Sequence, residues 1–295
     1  MLFAAIDIGS NAARLLFANA YDKNGKPQIE KASIIRIPTR LGEDVYQDHK
    51  ISHEKAKDFI KTMQAFKLLI DVYKPHSYKA YATAALREAE NSKEIIKKIK
   101  KETGLKIKVI DGLKEAEIIR NHQYTIFPHP KTYTLHMDVG GGSTELSIEK
   151  NDELIKSKSF KIGTLRLLKG KTKKDIFEEI KEWLAPFKND FLDFNMLGTG
   201  GNIKKLYKVF GNNSAKQLHI KDLEVAHTKL KALTVEERIK IYGFRPDRAD
   251  VIEPAAFIYL YVMNCIKASH IMVLRTGLAD GLIIEQYNEY KNNNK

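Results

Sequence analysis

Apolar residues recur at two different spacings along the chain, and the two spacings alternate as they do in an α/β protein. Residues 2–8, 14–20 and 31–37 are apolar or alternating runs that predict three strands, with a turn at residues 22–25. From residue 52 to residue 73 the apolar positions follow the helical period, and Ser52 stands where an N-cap is expected. The chain is therefore predicted to begin as a strand meander followed by a helix.

The alternation of strands and helices continues to about residue 120. Residues 79–83 predict a short strand, residues 92–102 a lysine-rich helix, and residues 106–110 another strand, after which a helix begins near Leu113. Residues 39–44 are polar and are predicted to form a loop. This order of elements is typical of the α/β class.

A glycine-rich stretch in the middle of the chain is the first candidate for a functional site. Residues 133–137 predict a strand that ends at Asp138, and a strand-like alternation resumes after Ser143. The glycines between them are Gly140, Gly141 and Gly142. Without Cβ atoms, the backbone N–H groups can approach a bulky anion, and Asp138 can hold a hydrated metal or orient a water. Glycine triplets also occur in plain turns, so a hairpin without a ligand remains an alternative.

The N-terminus repeats this pattern. An apolar strand ends at Asp7, and Gly9, Ser10 and Asn11 precede the next strand. Asp7 and Asp138 thus end equivalent strands in the two halves of the chain, which predicts an internal duplication. Such a duplication builds two similar lobes, each with a phosphate-binding hairpin, that face one another across a cleft. Two such hairpins suit a polyphosphate chain and a divalent cation.

A third glycine turn and one acidic helix start complete the candidate residues. Gly200 and Gly201 lie between a predicted strand at residues 195–197 and a helix at residues 203–210, an arrangement that binds anions or nucleotide phosphates. Glu115 lies in the first turn of the helix that begins near Leu113. A carboxylate there can act as a general base, but acidic residues are also common at helix starts because of the helix dipole. Spacing alone favours the dipole explanation.

Composition narrows the class of protein. The 295 residues suffice for one large or two ordinary domains, and the single cysteine excludes a disulfide and a cysteine-based metal site. No apolar run approaches the roughly 20 residues of a membrane span, and no signal peptide is recognised, so we expect a soluble cytoplasmic protein. The net charge of +13 favours an anionic partner, while the absence of nucleic-acid-binding motifs argues against a specific nucleic acid.

Seven short blocks in this order resemble the exopolyphosphatase/guanosine pentaphosphate phosphohydrolase (Ppx/GppA) family of the actin-like superfamily. They run from the first glycine turn to residue 252, and the resemblance extends from Ala5 to about Leu282. The blocks are residues 6–11, 82–89, 115–116, 138–146, 163–166, 198–201 and 248–252. The resemblance is to short members of the family without the helical C-terminal extension. It implies two actin-like (ribonuclease H-like) lobes, at residues 1–122 and 123–295, with the last helix packing back on the first lobe.

The resemblance also implies roles for individual residues. Glu115 would be the general base, Arg87 would neutralise charge on the transferred phosphoryl group, and Asp138 would position water and metal. Asp7 and Glu145 would be further metal contacts, with magnesium or another divalent cation as cofactor. The phosphate-binding residues would be Gly9, Ser10, Asn11, Gly140, Gly141, Gly142, Ser143, Gly200 and Gly201.

The function implied is hydrolysis of the terminal phosphoanhydride of inorganic polyphosphate, by a cytoplasmic homodimer. Guanosine pentaphosphate is the alternative substrate, because the motifs do not separate the two. Two readings of other classes remain open. One is a phosphotransferase, since sugar kinases share the fold, and the other is a non-catalytic sensor of polyphosphate or a nucleotide alarmone.

Overall fold

The computed structural model describes residues 1–121, 132–211 and 216–293. The chain divides into two compact units, one formed by Met1–Tyr124 with Thr276–Lys295 and the other by Thr125–Arg275. The boundary predicted between residues 122 and 123 falls outside the described residues. Within the described ranges, no helix combines the length and the apolar character that a membrane span requires.

A five-stranded mixed sheet forms the centre of the first unit. Its strands are β1 (Leu2–Ile8), β2 (Ala13–Lys23), β3 (Lys26–Ile37), β4 (Tyr78–Ala82) and β5 (Ile107–Val109). They lie in the order β3-β2-β1-β4-β5, in which β1 pairs antiparallel with β2 and parallel with β4. The predicted turn at residues 22–25 is confirmed: Asn24 and Gly25 both have positive φ, as a two-residue hairpin requires.

The helices of the first unit flank this sheet. They are α1 (Leu41–Asp48), α2 (His53–Tyr73), α3 (Ala84–Glu88), α4 (Ser92–Thr103) and α5 (Gly112–Arg120). The predicted N-cap is confirmed, because the Ser52 side chain accepts a hydrogen bond from the N–H of Lys55. The loop prediction for residues 39–44 is wrong from Leu41 onwards, since Leu41, Val45 and Tyr46 are buried on one face of a short helix.

The second unit repeats this topology with one additional edge strand. Its strands are β6 (Tyr133–Val139), β7 (Thr144–Lys150), β8 (Glu153–Phe160), β9 (Phe194–Thr199), β10 (Gln217–His219) and β11 (His270–Val273). The order β8-β7-β6-β9-β11-β10 reproduces the first sheet, and each corresponding pair has the same orientation. The predicted α/β fold with two lobes of duplicated topology is confirmed.

Helices cover the second sheet and bury its core. They are α6 (Thr164–Leu168), α7 (Ile176–Leu184), a 3₁₀ helix (Ala185–Asp193), α8 (Gly200–Phe210), α9 (Ile220–Ala232), α10 (Val235–Tyr242), α11 (Pro246–Ala249) and α12 (Ile252–Cys265). α12 is almost entirely apolar and packs in the middle of this core, where Tyr259 is its largest fully buried side chain.

The chain then returns to the first unit as α13 (Leu278–Asn293). Leu282, Ile283 and Tyr287 pack against Phe3 of β1 and Ile118 of α5. The first unit is therefore built from both ends of the chain.

Candidate functional site

The glycine turn between β6 and β7 is held on one side by α6. The carbonyls of Gly140 and Gly141 accept backbone N–H groups of α6 at 2.8 to 3.1 Å, and the Gly142 carbonyl accepts Nε of Arg166 at 2.9 Å. A trans peptide directs its C=O and N–H to opposite sides. The N–H groups of Gly141, Gly142 and Ser143 therefore point away from α6, as a phosphate cradle requires.

A further glycine makes this close approach possible. A Cβ atom at Gly163 would lie 2.5 Å from the carbonyl carbon of Gly141 and from the nitrogen of Gly142. The hydroxyl of Thr144 also holds the turn against this segment, because it donates a hydrogen bond to the carbonyl of Ile162 at 2.6 Å. Gly163 is thus required by space, and the turn is a fixed structure rather than a flexible hairpin.

A row of polar residues crosses the second sheet beside this turn. Asp138 on β6 lies opposite Glu145 on β7 and opposite Thr199 on β9, and Glu145 lies opposite Ser159 on β8. Residues directly opposite share a face of the sheet, so the two carboxylates are neighbours. Glu145 is only 3% exposed, and its Oε1 accepts the Ser159 hydroxyl at 2.7 Å.

The paired carboxylates fit a magnesium ion. Mg²⁺ commonly keeps several waters and is held by one or two carboxylates together with substrate phosphates, rather than by a cage made of protein alone. Asp138 and Glu145 supply such a donor set. Among the described residues, no group of three or more His, Cys, Asp or Glu side chains is placed to hold a metal ion.

Gly200 and Tyr259 fix the surroundings of Asp138. Gly200 begins α8 with φ +90°, and a Cβ atom there would be 2.4 Å from Oδ1 of Asp138. The hydroxyl of Tyr259 donates to the carbonyl of Thr199 at 2.9 Å. Burial, with the charges of Asp138 and Glu145 as additional causes, raises the pKa of Tyr259 well above its usual value, so the hydroxyl remains a donor. Nothing in the sequence marked Tyr259 except its place in an apolar helix.

The first unit contains the same turn. The N–H of Gly9 donates to the carbonyl of Ala12 at 3.1 Å, just as the N–H of Gly140 donates to the carbonyl of Ser143 at 2.9 Å. In both units the aspartate stands two residues before the glycine, at the penultimate position of the strand. The structure therefore places the two predicted hairpins at equivalent positions of the duplicated fold.

The segment that enters α1 fastens the first turn. The carbonyl of Ser10 accepts the N–H of Gly42 at 2.9 Å, and the carbonyl of Asn11 accepts the N–H of Arg40 at 3.1 Å. The N–H groups that follow these carbonyls point away from this segment. The Ser10 hydroxyl lies 2.7 Å from the hydroxyl of Tyr46 and is buried, so it acts within the protein as a support for the turn.

The two aspartates differ in the charge that faces them. Arg14 lies opposite Asp7, and its Nη1 is 2.6 Å from Oδ2 of Asp7, whereas Glu145 lies opposite Asp138. An arginine competes with a cation for the carboxylate, while a second carboxylate attracts one. The carboxylate pair of the second unit therefore suits a metal better than Asp7 does. The sequence could have indicated this pair, because Arg14 follows Asp7 by seven residues across the predicted hairpin.

Arg87 and Glu115 lie at the same edge of the first sheet as Asp7. Strands β1, β4 and β5 are parallel. Asp7 lies at the carboxyl end of β1, and α3 and α5 follow the carboxyl ends of β4 and β5, where α/β proteins bind ligands. Nη1 of Arg87 donates to the carbonyl of Ile110 at 2.8 Å, just before α5. Asp111 caps that helix by accepting the N–H of Lys114 at 2.7 Å, which sets Glu115 in the first turn.

Comparison with known proteins agrees with this architecture. The model of the Ppx/GppA phosphatase family matches residues 23–289, so the chain belongs to this family of phosphatases, as its motifs predicted. The chain is 25% identical to an exopolyphosphatase structure from Cytophaga hutchinsonii, with a TM-score of 0.82 and 98% of both chains covered. It is 28% identical to a PPX-GPPA enzyme structure from Aquifex aeolicus, with a TM-score of 0.74 and 97% and 99% covered.

Relatives in the same family carry different names. A bifunctional 3-dehydroquinate synthase/phosphatase of Fusobacterium nucleatum is 27% identical over 96% of this chain, which spans only 46% of that protein's length. Exopolyphosphatase 1 of Mycobacterium leprae is 23% identical over 97% of this chain and 89% of its own. A guanosine-5'-triphosphate,3'-diphosphate pyrophosphatase of Vibrio parahaemolyticus is 23% identical over 99% of this chain and 60% of its own.

Proposed function

We propose that the chain is a metal-dependent phosphohydrolase that releases the terminal phosphate of inorganic polyphosphate. The observation that carries this proposal is the repeated turn, in which an aspartate precedes backbone N–H groups that are aligned by fixed carbonyls. Such N–H groups bind phosphate oxygens. Membership of the phosphatase family and the net charge of +13 support the same substrate class.

We assign roles by unit. In the first unit, Glu115 accepts the proton of the attacking water and Arg87 neutralises charge on the transferred phosphoryl group, while the turn at Gly9, Ser10 and Asn11 binds phosphate oxygens. The water oxygen forms a bond to the terminal phosphorus, the anhydride P–O bond breaks, and the shortened chain leaves as its phosphate anion.

In the second unit, Asp138 and Glu145 would hold the divalent cation, and the turn from Gly140 to Ser143 binds phosphate oxygens. A magnesium ion, when bound, would neutralise phosphate charge. Asp7 is assigned to the orientation of water or metal, with Arg14 as its counter-ion.

Guanosine pentaphosphate remains the second candidate substrate. It also ends in a phosphoanhydride. In addition, 99% of this chain aligns with a relative whose name is that of an enzyme acting on this nucleotide. The two substrates differ only at the end away from the reacting phosphate, so a direct comparison of rates separates them.

The first experiment measures magnesium-dependent phosphate release from tripolyphosphate, long polyphosphate and guanosine pentaphosphate. Glu115→Gln is expected to lower kcat by at least about 100-fold, the scale of a lost general base. Glu117→Gln is the matched control, because Glu117 lies on the same helix and pairs with Lys114 at 2.9 Å.

Each outcome assigns a function. Release that Glu115→Gln abolishes supports the hydrolase, and the ranking of substrates identifies the preferred one. Binding of polyphosphate without release by the wild type would instead define a sensor. Transfer of phosphate only to an added sugar would define a kinase.

A further inference from the structure

One cavity of the second unit is lined by basic side chains. It has a volume of about 340 Å³ and lies beside α8, and we call it the basic cavity. Its charged lining residues are Lys204, Lys205, Lys208, Arg245 and Arg248. The volume falls within the range of small-molecule sites. Five cationic groups therefore converge on a space that can hold a ligand.

The cavity is built on one face of a helix. Gly201, Lys204, Lys205 and Lys208 follow the i, i+3, i+4, i+7 spacing of a single helical face. Arg248 closes the end nearest the start of α8: a Cβ atom at Gly201 would be 2.9 Å from its Nη2. The guanidinium is oriented by Asn202, whose Oδ1 accepts Nη1 at 2.6 Å.

The electrostatics of the lining favour a bound anion. The lining contains no carboxylate. Burial, then the neighbouring charges of Lys208 and Arg248, lower the pKa of Lys205. The Lys205 ammonium lies 5.1 Å from the ring centroid of Phe244, a weak cation–π partner. An anion in the cavity would relieve the mutual repulsion of these cations.

The basic cavity begins one residue along the chain from the contact with Asp138. Gly200 lies against the Asp138 carboxylate, and the next residue, Gly201, lines the cavity. Consecutive Cα atoms are only about 3.8 Å apart. A chain of phosphates that ends at the glycine turn beside Asp138 can therefore reach the lysines of α8 within a few units.

We propose that the basic cavity is a distal subsite for inner phosphates of a polyphosphate chain whose terminal phosphate lies at the Asp138 turn, an inference that rests on the proposed function. The lining offers N–H donors, which match phosphate oxygens. It offers no aromatic side chain for stacking and no carboxylate to accept the amino group of guanine. The subsite therefore selects a long inorganic chain over the nucleotide.

The test replaces the three lysines of α8 together. The variant Lys204→Gln/Lys205→Gln/Lys208→Gln is compared with Lys97→Gln/Lys98→Gln/Lys101→Gln, which removes the same charge at the same spacing from exposed positions of α4. Phosphate release is measured on long polyphosphate and on tripolyphosphate with magnesium. Binding of long polyphosphate is measured separately in EDTA. Thermal unfolding checks that both variants are folded.

The kcat/KM ratio of long polyphosphate to tripolyphosphate is expected to fall about tenfold or more in the α8 variant, with a matching loss of binding in EDTA. The α4 variant should keep both values. If the wild type binds long polyphosphate through α8 but releases no phosphate, the proposed function fails and the subsite stands. If it releases phosphate and the α8 variant keeps the ratio, the subsite is refuted and the hydrolase stands. If the α8 variant loses binding to an RNA of the same length by the same factor as it loses binding to long polyphosphate, the polyphosphate subsite is also refuted.

Discussion

Gly200 occupies a position that a side chain cannot share with Asp138. Its φ of +90° is unfavourable for other residues, and the space that a Cβ atom needs is filled by a carboxylate oxygen 2.4 Å away. These two features affect different properties of the protein. The positive φ affects the free energy of unfolding, whereas the missing space for a Cβ atom affects the position of the Asp138 carboxylate, which is proposed to hold the metal.

Gly200→Ala is predicted to lower kcat by about 100-fold, because a displacement of roughly 1 Å at a reacting group costs about that much. It should also destabilise the protein by about 1–2 kcal/mol through the left-handed backbone. Gly104→Ala is the control, since Gly104 has φ +74° and open space around its Cβ position. Kinetics and thermal unfolding of both variants check this. Equal loss of activity in the control would refute the role of the clash.

At this scale the sequence shows glycines and acidic residues but not their partners. The Asp138 turn could be predicted because strand, aspartate and three glycines are adjacent in the chain. The resemblance implied both Asp138 and Glu145 as metal contacts, but that they lie directly opposite one another needed the register of β6 and β7. The contact of Tyr259 with Thr199 spans 60 residues, so no local pattern records it.

At the scale of elements, α1 shows how a short helix supports a turn. Gly42 and Tyr46 contact Ser10, while Glu43 and Asp44 face Lys55 of α2 at 2.8 Å. Burial alone would raise the pKa values of Glu43 and Asp44, but hydrogen bonds from Arg40, Lys55 and Ser52 outweigh it and lower them. These carboxylates thus tie the turn of the first unit to α2.

Lys55→Met is predicted to destabilise the protein at pH 7 by about 1 kcal/mol, the upper range for a partly exposed ion pair. Because the pKa values of Glu43 and Asp44 are lowered by folding, their contribution is present above the unfolded pKa of about 4 and is lost as pH falls through the folded values. The difference in Tm between wild type and variant should therefore narrow below about pH 4.

The control for this prediction is Lys67→Met, which removes a lysine paired with Asp71 at an exposed position of the same helix. It should change Tm little at either pH. A gap between wild type and Lys55→Met that stays constant from pH 7 to pH 3 would show that lost packing, not the ion pairs, causes the effect. The charges of residues 43 and 44 also explain the wrong loop prediction, since they conceal a helix with only three large buried side chains.

At the scale of the whole molecule, the duplication was the most predictable feature. Each half carries its own strand, aspartate and glycine turn within about ten residues, so the repeat is visible without tertiary information. The return of α13 to the first unit is not visible in this way and was implied only by the family resemblance. The apolar pattern of a helix predicts that the helix packs against a core, but it does not predict which of two apolar surfaces the helix packs against.

Gln286 is a buried polar contact between α13 and the N-terminal part of the first unit, beside ion pairs such as Lys31 with Asp280. It is buried, its Nε2 donates to the carbonyl of Ala4 at 3.0 Å, and its Oε1 accepts the Ser77 hydroxyl at 2.7 Å. Gln286→Leu leaves these buried groups without their partner, which costs about 1–3 kcal/mol. We predict that hydrogen exchange of β1 amides accelerates accordingly, while that of β6 amides in the second unit does not.

The control is Gln64→Leu on α2, where the amide donates to Glu102 at 2.9 Å in an exposed pair. A substitution of this kind changes stability by less than about 0.5 kcal/mol. Equal acceleration in β1 and β6 for Gln286→Leu would show that both units unfold as one cooperative body. Acceleration confined to β1 would mean that the first unit opens independently of the second and that its stability depends on a contact between residues 282 positions apart.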